Sequence, residues 1–84
     1  MKLYLLKQDT NKGYDTYDSC VVCAKDEETA RHIHPDWEFQ KGKEWWKEKR
    51  AYDWALIDDV QVTYIGEAAE YVEPGVVCAS FNAG

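Results

Sequence analysis

Asp26 and Pro35 bracket the stretch of this chain whose conformation local chemistry comes closest to dictating. Aspartate is a good N-cap, because its carboxylate accepts from free N–H groups of the first turn. Glu27 and Glu28 then place negative charge against the positive end of the helix dipole. Ala30 and Ile33, three apart, form a short apolar stripe, while Glu27 and Arg31 can pair at i,i+4 on the wet side. Pro35 disfavours helical geometry at His34 and ends the element. The pattern predicts a helix over 27–34, one face of which has to lie on something apolar.

The flanking segments supply that surface. Residues 2–8 (KLYLLKQ) put Leu3 and Leu5 on one face and Tyr4 and Leu6 on the other, which predicts a strand interior to a sheet. Residues 9–18 (DTNKGYDTYD) are rich in turn formers. Residues 19–25 (SCVVCAK) follow as a second strand, with Val21 and Val22 suited to the pleat, and the two strands most simply make an antiparallel hairpin. Val60, Val62 and Tyr64 alternate with Gln61 and Thr63 in a half-buried strand over 60–65. Residues 67–72 (EAAEYV) read as a helical turn or loop, Pro74–Gly75 as a turn, and 76–81 (VVCASF) as the last strand. Residues 36–57 are the least legible. A helix over 43–54 would put Ala51, Trp54 and Ala55 on one face, but Gly42 and the adjacent Trp45–Trp46 pair weaken the stripe. The order β-β-α-(α)-β-β predicts an α+β fold, an antiparallel sheet of about four strands with a helix packed on one face. At 84 residues the chain reads as a single domain, 1–84, too short for a two-domain enzyme, a barrel or a Rossmann fold of ordinary size.

The net charge is −6. Residues 41–50 (KGKEWWKEKR) hold five cations and two anions, a net +3, which leaves −9 for the remainder. Long-range attraction to duplex DNA or an anionic membrane is therefore not expected. The uneven spread suits a protein partner with basic regions, or simple solubility. Three cysteines, an odd number, together with the absence of a long apolar run, predict a reducing, cytoplasmic setting. The N-terminal run is too short to cross a bilayer and reads as a strand rather than a leader, so no membrane partner is expected.

Three patterns suggest specific chemistry, and each has a plainer counterpart. Cys20, Cys23, His32 and His34 are zinc-type ligands. Residues three apart on a strand point to opposite faces, however, and residues two apart on a helix diverge, so structural packing is the better reading. Asp9, Asn11, Gly13 and Asp15 resemble the opening of a calcium loop, but the glycine comes one position early and Cys20 stands where a bidentate glutamate is needed. A Cys23 thiol beside His32 or His34 would need an orienting group that nothing specifies. The expectation is a protein that is not an enzyme, with no catalytic residue, no metal and no cofactor.

Aromatic residues are the stronger signal. Trp37, Phe39, Trp45, Trp46, Tyr52 and Trp54 crowd into eighteen of the 84 residues, and a core this small is not expected to enclose four tryptophans. Trp, Tyr and Arg dominate binding hot spots. The candidate partner-binding residues are accordingly Trp45, Trp46, Lys47, Lys49 and Arg50, with a second set in the loop at Tyr14, Asp15, Tyr17 and Asp18. The plainer alternatives are rings that pad the core under lysine stems, and tyrosines folded back on the sheet.

The N-terminal block (MKLYLLKQ, then GYDTYDS through IHP, within residues 1–35) and the C-terminal block (YIGEA through GVVCASFNAG, within 60–84) resemble a family of short uncharacterised phage, prophage and bacterial proteins. The family carries no assigned activity, so the resemblance implies context only: an accessory protein that binds a host protein, including as an inhibitor of a defence or regulatory complex. Two alternatives stand beside it. One is a single-stranded nucleic-acid-binding module using the aromatic–basic segment 37–54, which the −9 elsewhere disfavours. The other is a small structural or self-associating protein, since the uncharged strand VVCASF would leave an exposed sheet edge open to a second copy.

Overall fold

The alternation in residues 2–7 builds the centre of the sheet. In the computed structural model, which describes residues 1–83, strand β1 (Lys2–Lys7) buries Tyr4 and Leu6 on one face and half-buries Leu3 and Leu5 on the other. Strand β2 (Thr16–Ala24) pairs with it antiparallel, setting Leu6 opposite Cys20 and Tyr4 opposite Val22. Strand β3 (Gln61–Glu67) flanks β1, and strand β4 (Gly75–Asn82) flanks β2. The order is β3-β1-β2-β4, every pair antiparallel, and the predicted α+β architecture with β1 inside the sheet is the one observed. Because β3 and β4 occupy opposite edges, residues 68–74 must cross the end of the sheet. They are held there by Ala68 N–H donating to Met1 O at 2.9 Å.

Strand β2 starts at Thr16, three residues before the expected boundary. Asp18 is the reason. It sits outside the β2–β4 register between Tyr17 and Ser19, and an unpaired residue of this kind resets which side chains share a face. Tyr17 thereby joins the core-facing residues and packs edge to face on Phe81, 4.7 Å between centroids. The loop ends instead at Asp15, whose φ of 59° is left-handed. Strand β3 runs past Ile65 to Glu67, because the register shift there lets Gly66 pair with Leu3.

Asp26 caps helix α1 as expected, its Oδ1 accepting from Thr29 N–H at 2.7 Å, and Ala30 and Ile33 are buried. The helix is shorter than the predicted 27–34. It spans Glu27–Arg31, and the N–H groups of His32 and Ile33 then bond to residues three back, tightening the last turn. The helix over 43–54 does not form. A single turn, α2 (Trp37–Gln40), is followed by Gly42 at φ 80°, a 3₁₀ turn at Trp45–Lys47, bends, and a second 3₁₀ turn at Ile57–Asp59. A continuous helix would have carried the indoles of this segment around one axis. Here Trp54 drops into the core while Trp45 lies on the preceding corner. Helix α1 and residues 32–60 cover one sheet face, where Leu6, Val22 and Trp54 are wholly buried. The other face presents half-buried Leu3, Leu5 and Val21 beside exposed Thr63. Among the described residues no helix is long and apolar enough to cross a membrane.

Candidate functional site

The corner His32–Pro35 organises the most structured feature of the surface. Its tight backbone leaves the His32 carbonyl free, and the Trp45 indole N–H donates to it at 2.8 Å. The Trp45 ring then meets the His34 imidazole edge to face, 5.2 Å between centroids. Trp46 does the same on His32 at 4.9 Å, and the two indoles stand 82° apart. His32 and His34 thus diverge, one near water and one buried.

His34 sits among Tyr17, Trp45 and Trp54, and both of its nitrogens are engaged. Nδ1 accepts from Asp36 N–H at 2.9 Å, which places the ring proton on Nε2, and Nε2 faces Asp53 Oδ1 at 3.4 Å. Burial holds the His34 pKa below its usual range, outweighing the opposing pull of Asp53 and Asp36. The Tyr17 hydroxyl is pushed up by burial first, then by Asp36 and Asp53. With its two nitrogens facing Asp36 and Asp53, the imidazole bridges the start of α2 and the segment around residue 53.

Asp53 is itself held from two sides. Tyr17 N–H donates to its carbonyl at 2.7 Å. The Asn11 side-chain amide reaches from the β1–β2 loop to Tyr52 O at 3.1 Å and Trp54 O at 2.9 Å. Asn11 is fixed in turn by buried Gln8, whose Oε1 accepts from Asn11 N–H at 2.8 Å and whose Nε2 donates to Asn11 O at 2.7 Å. Every Gln8 amide atom is used.

Between this anchored strap and the His34 corner lies a cavity of about 230 Å³, walled by His34, Trp45, Tyr52 and Trp54 with Lys43 and Arg50 also lining it. Arg50 stacks over the exposed Tyr52 ring, 5.5 Å to the centroid. Trp54 is 1% exposed, and its indole N–H is the one buried side-chain polar atom among the described residues without a hydrogen-bond partner.

The residues singled out from the sequence separate into different settings. Trp45 and Arg50 border the cavity. Trp46 lies outside it, lining a shallow depression with Lys49, Leu56 and Ile57. Lys47 is exposed and pairs with Glu44. In the second set, Tyr14, Asp15 and Asp18 face water while Tyr17 turns inward to His34. Trp54 is buried and the other three indoles are half-buried, while the exposed aromatic rings are Tyr14, Phe39, Tyr52, Tyr64, Tyr71 and Phe81. Trp45 and Tyr17, one from each predicted set, meet the same residue, His34. The sequence flagged His34 only as a metal or base candidate and Asn11 only as a calcium-loop position, and it gave no sign of Gln8 or Asp53 as site builders. A polar residue such as Asn11, in a loop four residues past β1, carries no local signal of partners about forty residues away.

The thiols stand apart from this site. Cys20 and Cys23 face opposite sides of the sheet, no cysteine lines the cavity, and burial pushes the Cys20 thiol up to about 12, far from a nucleophile's range. Comparisons with protein-family models, with curated proteins and with solved structures each found no match.

Proposed function

We propose that this chain works by binding a protein, as a cytoplasmic accessory of the phage type its two sequence blocks resemble, without cofactor or catalysis of its own. The contact is the cavity between the His34 corner and the 50–54 strap, entered by one side chain or carbonyl of the partner. The observation that carries the reading is the Trp54 indole N–H. A buried donor without an acceptor costs about 1–3 kcal/mol, and because Trp54 also lines the cavity, a partner oxygen that parts the wall there would recover it. At about 230 Å³, the space is below the roughly 300–1,000 Å³ of ordinary small-molecule pockets, which suits a single anchoring side chain. Half-buried Trp45 and the Arg50–Tyr52 stack supply the kind of surface that hot spots use.

Stacking of single-stranded nucleic acid is less well supported. Trp45 and Trp46 spend ring surface on each other and on two histidines, edge to face, where a base would need an open ring face.

The test is affinity capture from bacterial lysate with three baits: the native chain, Trp54→Phe, and Tyr71→Ala as a remote exposed-aromatic control. The expected result is a stoichiometric protein held by the native chain and the control and lost with Trp54→Phe. No stoichiometric protein, or one held equally by all three baits, overturns the proposal.

A further inference from the structure

The two sheet edges differ in a way that bears on self-association. Strand β3 ends at Glu67 and is preceded by Asp58 and Asp59, so antiparallel pairing of two β3 edges would bring carboxylates of one copy toward those of the other. Strand β4, GVVCASFN, carries no charge over eight residues in a chain of net charge −6. All of its residues from Val77 onward are exposed, Val77 and Phe81 both close to half. Val77 is the bulge residue, which leaves Cys78–Asn82 as an unbroken run on the outer edge. The end of that run is fixed, because Asp15 N–H donates to Asn82 O at 2.6 Å. Natural edges are blunted by charge, proline or bulges. Beyond Val77 this one has none of the three.

We infer that the β4 edge is the site where a second copy of this chain docks, antiparallel about a two-fold axis near Ser80. Such an arrangement pairs the same patch with itself. It joins two four-stranded sheets into one of eight and lays the half-buried Leu3, Leu5 and Val21 stripes of both copies on a continuous face. No charged residue meets its like across the new pair, which is the condition an acidic chain must satisfy to meet itself. The inference is independent of the cavity and of what enters it.

Sedimentation across a concentration series, with two charge insertions at exposed positions, tests it. Ala79→Lys sets like charges against each other in the paired β4 edges, while Thr63→Lys adds the same charge to the β3 edge and the open sheet face. The expected result is a concentration-dependent dimer for the native chain and for Thr63→Lys, and a monomer with an unchanged circular dichroism spectrum for Ala79→Lys. A native chain that stays monomeric throughout, a dimer that survives Ala79→Lys, or one that Thr63→Lys abolishes as well overturns the inference.

Discussion

His34 Nε2 lies 3.4 Å from Asp53 Oδ1, and that contact ties the corner after helix α1 to the strap that closes the cavity. It is a close contact of a neutral imidazole with a carboxylate rather than a salt bridge, because Nδ1 already accepts from the Asp36 amide. A second proton would have to go on Nδ1 and would set two N–H groups against each other. It would also charge a ring that is 5% exposed and walled by three aromatics. The site is therefore built for the neutral form.

Stability should fall on mild acidification. The folded-state pKa of His34 is lowered from the usual 6.5, so the unfolded chain takes up the proton first as pH drops. The contribution is complete above about pH 6.5 and is lost progressively below it, until the folded ring also titrates. Thermal unfolding followed from neutral pH to about pH 5, above the carboxylate range, should show a declining Tm. His34→Gln, whose side chain does not titrate, should flatten that decline while lowering the Tm at neutral pH.

Trp54 combines a wholly buried ring with an unpartnered N–H, and two substitutions separate these. Trp54→Ala removes the largest fully buried side chain and should cost about 3–5 kcal/mol in urea unfolding. Trp54→Phe loses some ring area but also removes the orphan donor, worth about 1–3 kcal/mol, so the two effects should largely offset. A Phe variant as unstable as the Ala variant would mean that the N–H has an acceptor after all.

Asn11 should matter more than a loop residue normally does. Its amide bonds two carbonyls of the strap at 2.9 and 3.1 Å, so Asn11→Ala frees that segment. The expected loss is about 1–3 kcal/mol, from two hydrogen bonds and the carbonyls left behind. Amide exchange should accelerate first at residues 51–54, the stretch Asn11 holds, and a uniform acceleration across the sheet would argue against a clamp.

Asn11 also shows where legibility in the sequence ends. The helix cap at Asp26, the buried pair Ala30 and Ile33, and the strand alternation at Tyr4 and Leu6 are local or periodic, and all three features hold. The helix over 43–54 fails because its stripe competes with what Trp45 and Trp54 gain singly, a hydrogen bond to His32 and a place in the core. The cavity was half legible. Trp45 and Arg50 were named for their chemistry, whereas His34, Asn11 and Asp53 acquire their roles only when segments far apart in sequence meet. The Asp18 irregularity, which turns Tyr17 inward, depends on a cross-strand register that no single strand encodes.

Gly75 should tolerate no side chain. The turn read at Pro74–Gly75 is also the first pair of β4, opposite Cys23, and its φ of 120° lies where L residues rarely go. A Cβ there would fall 2.5 Å from the Trp37 indole nitrogen and 2.7 Å from its Cε2. Gly75→Ala must therefore strain the backbone and displace Trp37, which packs on the core. A cost of about 1–3 kcal/mol follows from the backbone alone, with the displaced ring adding to it. Trp37→Ala in the same chain separates the parts, since it removes the clash and leaves only the dihedral. The double variant should be less destabilised than the sum of the two singles in urea unfolding. Strict additivity would mean that the indole does not occupy the space above Gly75.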